Sequence, residues 1–143
     1  MSFSKSKRLE VKILKRKRIT AVLVDTAKEV FGIVNVPDEL ETFYALLGCS
    51  CIDITVRKIG TKTVEIICDD EGLFKEPQKI SAINNLGQVQ LVGSILIVGP
   101  ADSEGNLTSL SNKDANYILD RIQLLETRNF KNPYPILTQC EYA

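Results

Sequence analysis

Histidine is absent from all 143 residues. That removes the side chain that titrates most readily near neutral pH. Serine–histidine–aspartate and cysteine–histidine mechanisms are excluded with it, as are histidine-ligated zinc sites. No apolar run approaches the roughly 20 residues of a membrane-spanning helix, so no membrane partner is expected. The opening residues lack the apolar stretch of a signal peptide, and the expected location is cytoplasmic. Net charge is also absent, with 18 Lys and Arg against 18 Asp and Glu.

That balance hides an asymmetry. Residues 1–18 hold Lys5, Lys7, Arg8, Lys12, Lys15, Arg16, Lys17 and Arg18 against Glu10 alone, a net +7. The remaining 125 residues carry the compensating −7. A basic arm on an acidic body can meet phosphate or can meet its own domain. Only Phe3 stands near the arm for base stacking, so an arm that binds nucleic acid would act through charge, without sequence choice.

The four cysteines, Cys49, Cys51, Cys68 and Cys140, do not form a disulfide framework in a chain without an export signal. Cys49-Ser50-Cys51 resembles half of a zinc knuckle, but the usual spacing has two intervening residues. It reads as small side chains at the start of a strand, and all four thiols as reduced. No cofactor is expected.

The hydrophobic fraction of 44% and charged fraction of 25% are those of one ordinary globular domain. LEVKIL at 9–14 alternates as a short strand does. ITAVLVD at 19–25 is apolar on both faces, the mark of a strand buried on both sides. EVFGIVNV at 29–36 pairs back as a hairpin, with Gly32 marking a bulge or a close approach. Pro37 opens a helix capped by Asp38, with Leu40, Phe43, Tyr44 and Leu47 on one face and Gly48 ending it.

In CIDITVRK at 51–58, Ile52, Ile54 and Val56 point inward, while Cys51, Asp53, Thr55 and Arg57 form a wet face. TVEIIC at 63–68 pairs back across the turn at 59–62. LVGSILIVG at 91–99 is the most apolar run and reads as one central strand, followed by a loop at 101–106. Ser111 caps a last helix whose stripe is Ala115, Ile118, Ile122 and Leu125. These elements give an α+β domain over 19–127: a mostly antiparallel sheet of five or six strands with two helices packed on one side. Residues 1–18 form a basic, flexible leader and 128–143 an irregular tail with two prolines.

Three surfaces invite function. The first is CDDEGLF at 68–74. Consecutive residues on an extended chain point apart, so Asp69, Asp70 and Glu71 cannot all reach one ion, and acids before a glycine are ordinary turn chemistry. With Glu65 they are still the carboxylates that a metal-assisted hydrolase would use. The second is the polar face Asp53, Thr55 and Arg57, suited to a protein partner or small ligand. The third is the basic arm. VGPADSEGN at 98–106 lacks the spacing of a phosphate loop.

The stretches 37–60, 66–84 and 89–114 carry a familiar order of pieces. A short helix ends at Gly48 and a strand follows. An acidic turn, Asp70-Glu71-Gly72, precedes Pro77 and Asn84. Gly93 then leads an apolar strand, and a Ser-Leu pair precedes the last helix. Over residues 19–127 the chain resembles the domain of unknown function 3846, a family of small domains from gut bacteria, phages and mobile elements. It departs at Gly48-Cys49, where a second glycine is commoner, and in the basic leader. The resemblance implies the fold and a phage or mobile-element setting, and brings no activity. The expected function is a non-catalytic binding module for a host protein or small ligand. The alternatives are nucleic-acid binding through the arm and a carboxylate- or metal-dependent hydrolase.

Overall fold

The computed structural model describes residues 17–72, 75 and 78–143. The strand expected over 9–14, six of the eight basic arm residues and Pro77 lie outside the described residues. The elements run β1 (Arg18–Asp25), β2 (Val30–Pro37), α1 (Leu40–Leu47), β3 (Ile52–Ile59), β4 (Lys62–Asp69), β5 (Ile80–Ile83), β6 (Val89–Val92), β7 (Ile95–Val98), α2 (Asn112–Leu119), β8 (Ile122–Leu125), β9 (Tyr134–Leu137) and β10 (Cys140–Tyr142). Six strands form an antiparallel sheet in the order β10-β3-β4-β7-β1-β2. Four form a smaller sheet, β6-β5-β9-β8, in which β5 and β9 are parallel.

The apolar strands explain the layering. In β1, Ile19 and Ala21 face one cluster with Phe43 and Leu47 of α1. Val22 and Val24 face the other, with Ala115 and Ile118 of α2 and Ala82, Leu91, Ile122 and Leu137 of the small sheet. β7 lies between β4 and β1, and all four of its side chains are buried. Each such aliphatic residue gains roughly 1.5–3 kcal/mol on burial, which makes β7 the anchor of both clusters. The helices therefore cover opposite faces of the large sheet, not one side as the sequence suggests. The architecture is α+β with sheet predominant.

Several other expectations are corrected. The run 91–99 is two strands in two sheets. Gly93, at φ 77, turns the chain between them, and its N–H donates to Lys79 O at 2.8 Å. Gly32 makes no bulge, because the β1–β2 register is unbroken over eight pairs. Asp38 does not cap α1. Glu39 holds that position without a side-chain capping bond, and Asp38 instead lies 3.7 Å from Lys17 Nζ. Leu40 is exposed, so the buried face of α1 narrows to Phe43 and Leu47. The second helix ends at Leu119, and Ile122 and Leu125 belong to β8, held by antiparallel pairing with β9. Gly48 at φ 62 and Ser111, which accepts the Asp114 N–H at 3.1 Å, end and begin their helices as read.

The segment 128–143 is no irregular tail, and the folded unit extends past 127. Tyr134, Ile136, Leu137 and Cys140 are buried, and Tyr134 Oη donates to Ile80 O at 2.8 Å. Pro135 disguises β9, since a proline cannot donate to a ladder. Here β9 meets β5 only at Ala82–Leu137, so no ladder bond is required of Pro135 on that side. The leader boundary moves too. Arg18 opens β1, with its guanidinium on Asn35 Oδ1 and O, each at 2.7 Å, and Lys17 Nζ donates to Leu107 O at 3.1 Å.

Candidate functional site

The alternation in β3 puts Asp53, Thr55, Arg57 and Ile59 on the face that the small sheet covers. The orientation reverses the expected one. Ile54 and Val56 are 42% and 50% exposed, while Arg57 is 4% exposed. The cause is coverage. α1 packs over Ile52, Ile67, Leu96 and Val98, and Ile54 and Val56 stay outside that cluster. On the other face β10 pairs with β3, placing Tyr142 opposite Arg57, and β6 brings Gln90 above it.

A buried guanidinium needs partners for its N–H groups. Arg57 Nε donates to Thr55 Oγ1 at 3.0 Å, and Nη1 donates to Gln90 Oε1 at 3.0 Å. Its carbon lies 3.8 Å from the Tyr142 ring centroid, a cation–π stack. Among the described residues no carboxylate forms a salt bridge with Arg57. Its counter-charges stand further off, around a pocket of about 190 Å³ lined by Arg57, Gln90 and Tyr142 together with Asp53, Asp69 and Asp70. The fold thus joins two groups that sequence kept apart: the polar face of β3 and part of the acidic turn.

The acidic residues have separate local tasks. Asp53 Oδ1 accepts the Ile54 N–H at 2.9 Å. Asp69 accepts the Glu71 N–H at 2.9 Å on one oxygen and pairs with Lys75 Nζ at 2.6 Å on the other. The hydrogen bond to Asp69 pushes the Lys75 pKa up. Glu71 is exposed. Glu65 stands opposite Val56 in the middle of β4 and does not line that pocket. No group of three or more Asp, Glu or Cys side chains gathers as a metal cradle among the described residues.

Three of the thiols have raised pKa values, and of these Cys68 lines the pocket. Burial raises Cys68 to about 11, reinforced by Asp53 and opposed by Arg57. Burial likewise raises Cys140 to about 11, with Arg57 pulling the other way. Cys49 is raised by burial and then by Asp69. Thiolates are the reactive form, so these three are poor nucleophiles.

On the other side of Asp69 lies a second hollow of about 300 Å³, where Lys75 and Lys79 face Thr26 and Ser94. Its cations are already engaged: Lys79 pairs with Glu29 at 2.8 Å and lies 4.7 Å from the centroid of the Tyr134 ring. Gln90 and Tyr142 escaped sequence reasoning. Each reaches Arg57 only through strand pairing and sheet docking.

The fold and site define a two-sheet α+β domain with a small mixed-charge pocket at the seam of its sheets. The chain belongs to the family described as Domain of unknown function (DUF3846), which matches residues 19–123. β9 and β10, including Tyr142, lie beyond the matched residues. No curated protein matches the chain, and no solved structure does. Among the described residues no helix is long and apolar enough to cross a membrane.

Proposed function

We propose that this domain is a non-catalytic binding module and that the Arg57 pocket is its recognition point for a protein partner. The observation that carries the reading is Arg57 itself: a buried cation with neutral hydrogen-bond partners, opening on a pocket rimmed by Asp53 and Asp70. At about 190 Å³ the pocket is smaller than the roughly 300–1,000 Å³ of small-molecule sites. That size suits one polar residue of a partner, stacked on exposed Tyr142 and steered by both signs of charge.

The protonated thiols and the lack of histidine favour recognition over catalysis. The phage or mobile-element setting implied by the resemblance would make a host protein the partner, met in the cytoplasm. The test is a peptide-array screen followed by ¹H–¹⁵N titration of the best binder, watching the Arg57 Nε–H resonance. Tyr142→Ala combined with Asp53→Asn, both on exposed residues, should weaken binding by about tenfold or more. A peptide that binds without moving Arg57, or equally well to the double variant, would place recognition elsewhere.

A further inference from the structure

The open edge of the large sheet carries a second, independent inference. β2 is one of the two edge strands, β10 being the other, and β1 is its one strand partner among the described residues. Edge strands are normally blunted by charge, proline or a bulge. Val30–Pro37 has no charged residue, places its one proline at the end, and pairs without a bulge. Val30, Phe31 and Ile33 are 52%, 41% and 43% exposed.

The direction of the free backbone groups follows from one bond. Asp38 donates its N–H to Lys17 O at 3.0 Å, so Lys17–Asp38 is a bonded pair. Bonded and non-bonded pairs alternate along an antiparallel ladder. Ile19–Val36, Ala21–Val34 and Leu23–Gly32 therefore bond inward. Phe31, Ile33 and Asn35 turn their N–H and C=O outward. Thr20, the partner of Asn35, agrees: its own groups turn away to Ser109 Oγ and to the Leu110 N–H. At Asn35 the outward carbonyl already accepts from Arg18 Nη2 at 2.7 Å. Among the described residues, two with open ladder positions remain, Phe31 and Ile33.

We infer that β2 pairs with the β2 of a second copy of this chain, antiparallel, about a two-fold axis at Gly32. This register sets Phe31 of each copy against Ile33 of the other and closes four backbone hydrogen bonds. It joins the large sheets of the two copies into one. The Arg18 contact disfavours the register centred on Ile33, which would need Asn35. Each Phe31–Ile33 contact is an aromatic against a β-branched side chain, a favourable cross-strand pair. A strand without charge meets no like charge when it faces itself. Gly32 falls in the close, non-bonded pair at the axis. Inside one protomer the glycine has no evident need: its φ is not positive and a β-carbon there would meet nothing within 4 Å.

Sedimentation equilibrium on the full-length chain, run from low to high micromolar concentration, tests this. The average mass should climb from 15.9 kDa toward twice that value. Ile33→Lys should hold the protein at the monomer mass with an unchanged circular dichroism spectrum and melting curve, while Ile33→Val should still associate. A native chain that stays monomeric throughout, or an Ile33→Lys chain that still associates, would overturn the inference.

Discussion

Arg57 lies against the ring of Tyr142, with 3.8 Å between the guanidinium carbon and the ring centroid. One residue comes from the middle of the chain and the other from its last strand. Their contact closes the seam where β10 completes the large sheet and Gln90 reaches across from the small one. A solvated arginine on a wet strand face would be ordinary. One that is desolvated and kept from direct ion pairing holds binding potential in place.

The first prediction separates what Arg57 does for stability from what it does for recognition. Replacing a buried charge by an apolar side chain of similar length is often neutral or stabilising. Arg57→Met should thus lie within about 1 kcal/mol of the native protein, or above it, by urea denaturation. Arg57→Ala should cost about 2–4 kcal/mol, because the stem also fills space between the sheets. A well-folded Arg57→Met protein that loses partner binding would tie this arginine to recognition. A steep loss of stability in Arg57→Met would make it a structural residue.

Gly60 gives a second, purely structural test. It sits in the two-residue turn of the β3–β4 hairpin at φ 58, and a β-carbon there would run into Tyr117 Oη. That phenol accepts the Thr61 N–H at 2.9 Å, while Arg121 stacks on its ring at 3.4 Å from the centroid. Gly60→Ala therefore combines left-handed backbone strain with a displaced tyrosine. A loss of about 2 kcal/mol or more is expected, read as a lower urea midpoint with an unchanged slope.

Local patterns placed the β1–β2 and β3–β4 hairpins and the Ser111 start of α2, whereas α1 begins later than Pro37 and without the expected Asp38 cap. The same patterns misjudged what covers a strand. Ile54 and Val56 look like a core face, yet α1 does not pack over them. The burial of Arg57 depends on β10, which lies more than 80 residues away and is preceded by a proline-containing strand. Ile122 and Leu125 continue the helical spacing of α2, and only pairing with β9 makes them a strand. The candidate site was half legible. Asp53, Thr55, Arg57 and the acidic turn stand out in the sequence, whereas Gln90 and Tyr142 arrive by tertiary pairing.

The two helix starts invite a paired measurement. Ser111 Oγ accepts the Asp114 N–H at 3.1 Å, so Ser111→Ala should cost about 1 kcal/mol. Asp38 caps nothing and sits 3.7 Å from a largely exposed Lys17 amine. Asp38→Ala should cost under about 0.5 kcal/mol, the range of surface ion pairs. Equal losses in the two variants would restore Asp38 as a cap.

The last prediction concerns the four thiols, which are all free. Cys68 and Cys140 have pKa values raised from the ordinary 9.0 to about 11, chiefly by burial. The folded state thus keeps two protons that the unfolded chain releases above about pH 9. Their contribution to stability is fully present below the unfolded value and is lost as pH rises through the folded one. The urea midpoint should fall between about pH 9 and 11, and Cys68→Ala or Cys140→Ala should each remove part of that slope. Labelling with a bulky disulfide reagent at pH 8 should follow exposure: Cys51 first, Cys49 more slowly, and Cys68 and Cys140 only on unfolding. Mass spectrometry of the labelled peptides reads the order. Rapid labelling of Cys68 in the folded protein would contradict the closed seam beneath Tyr142.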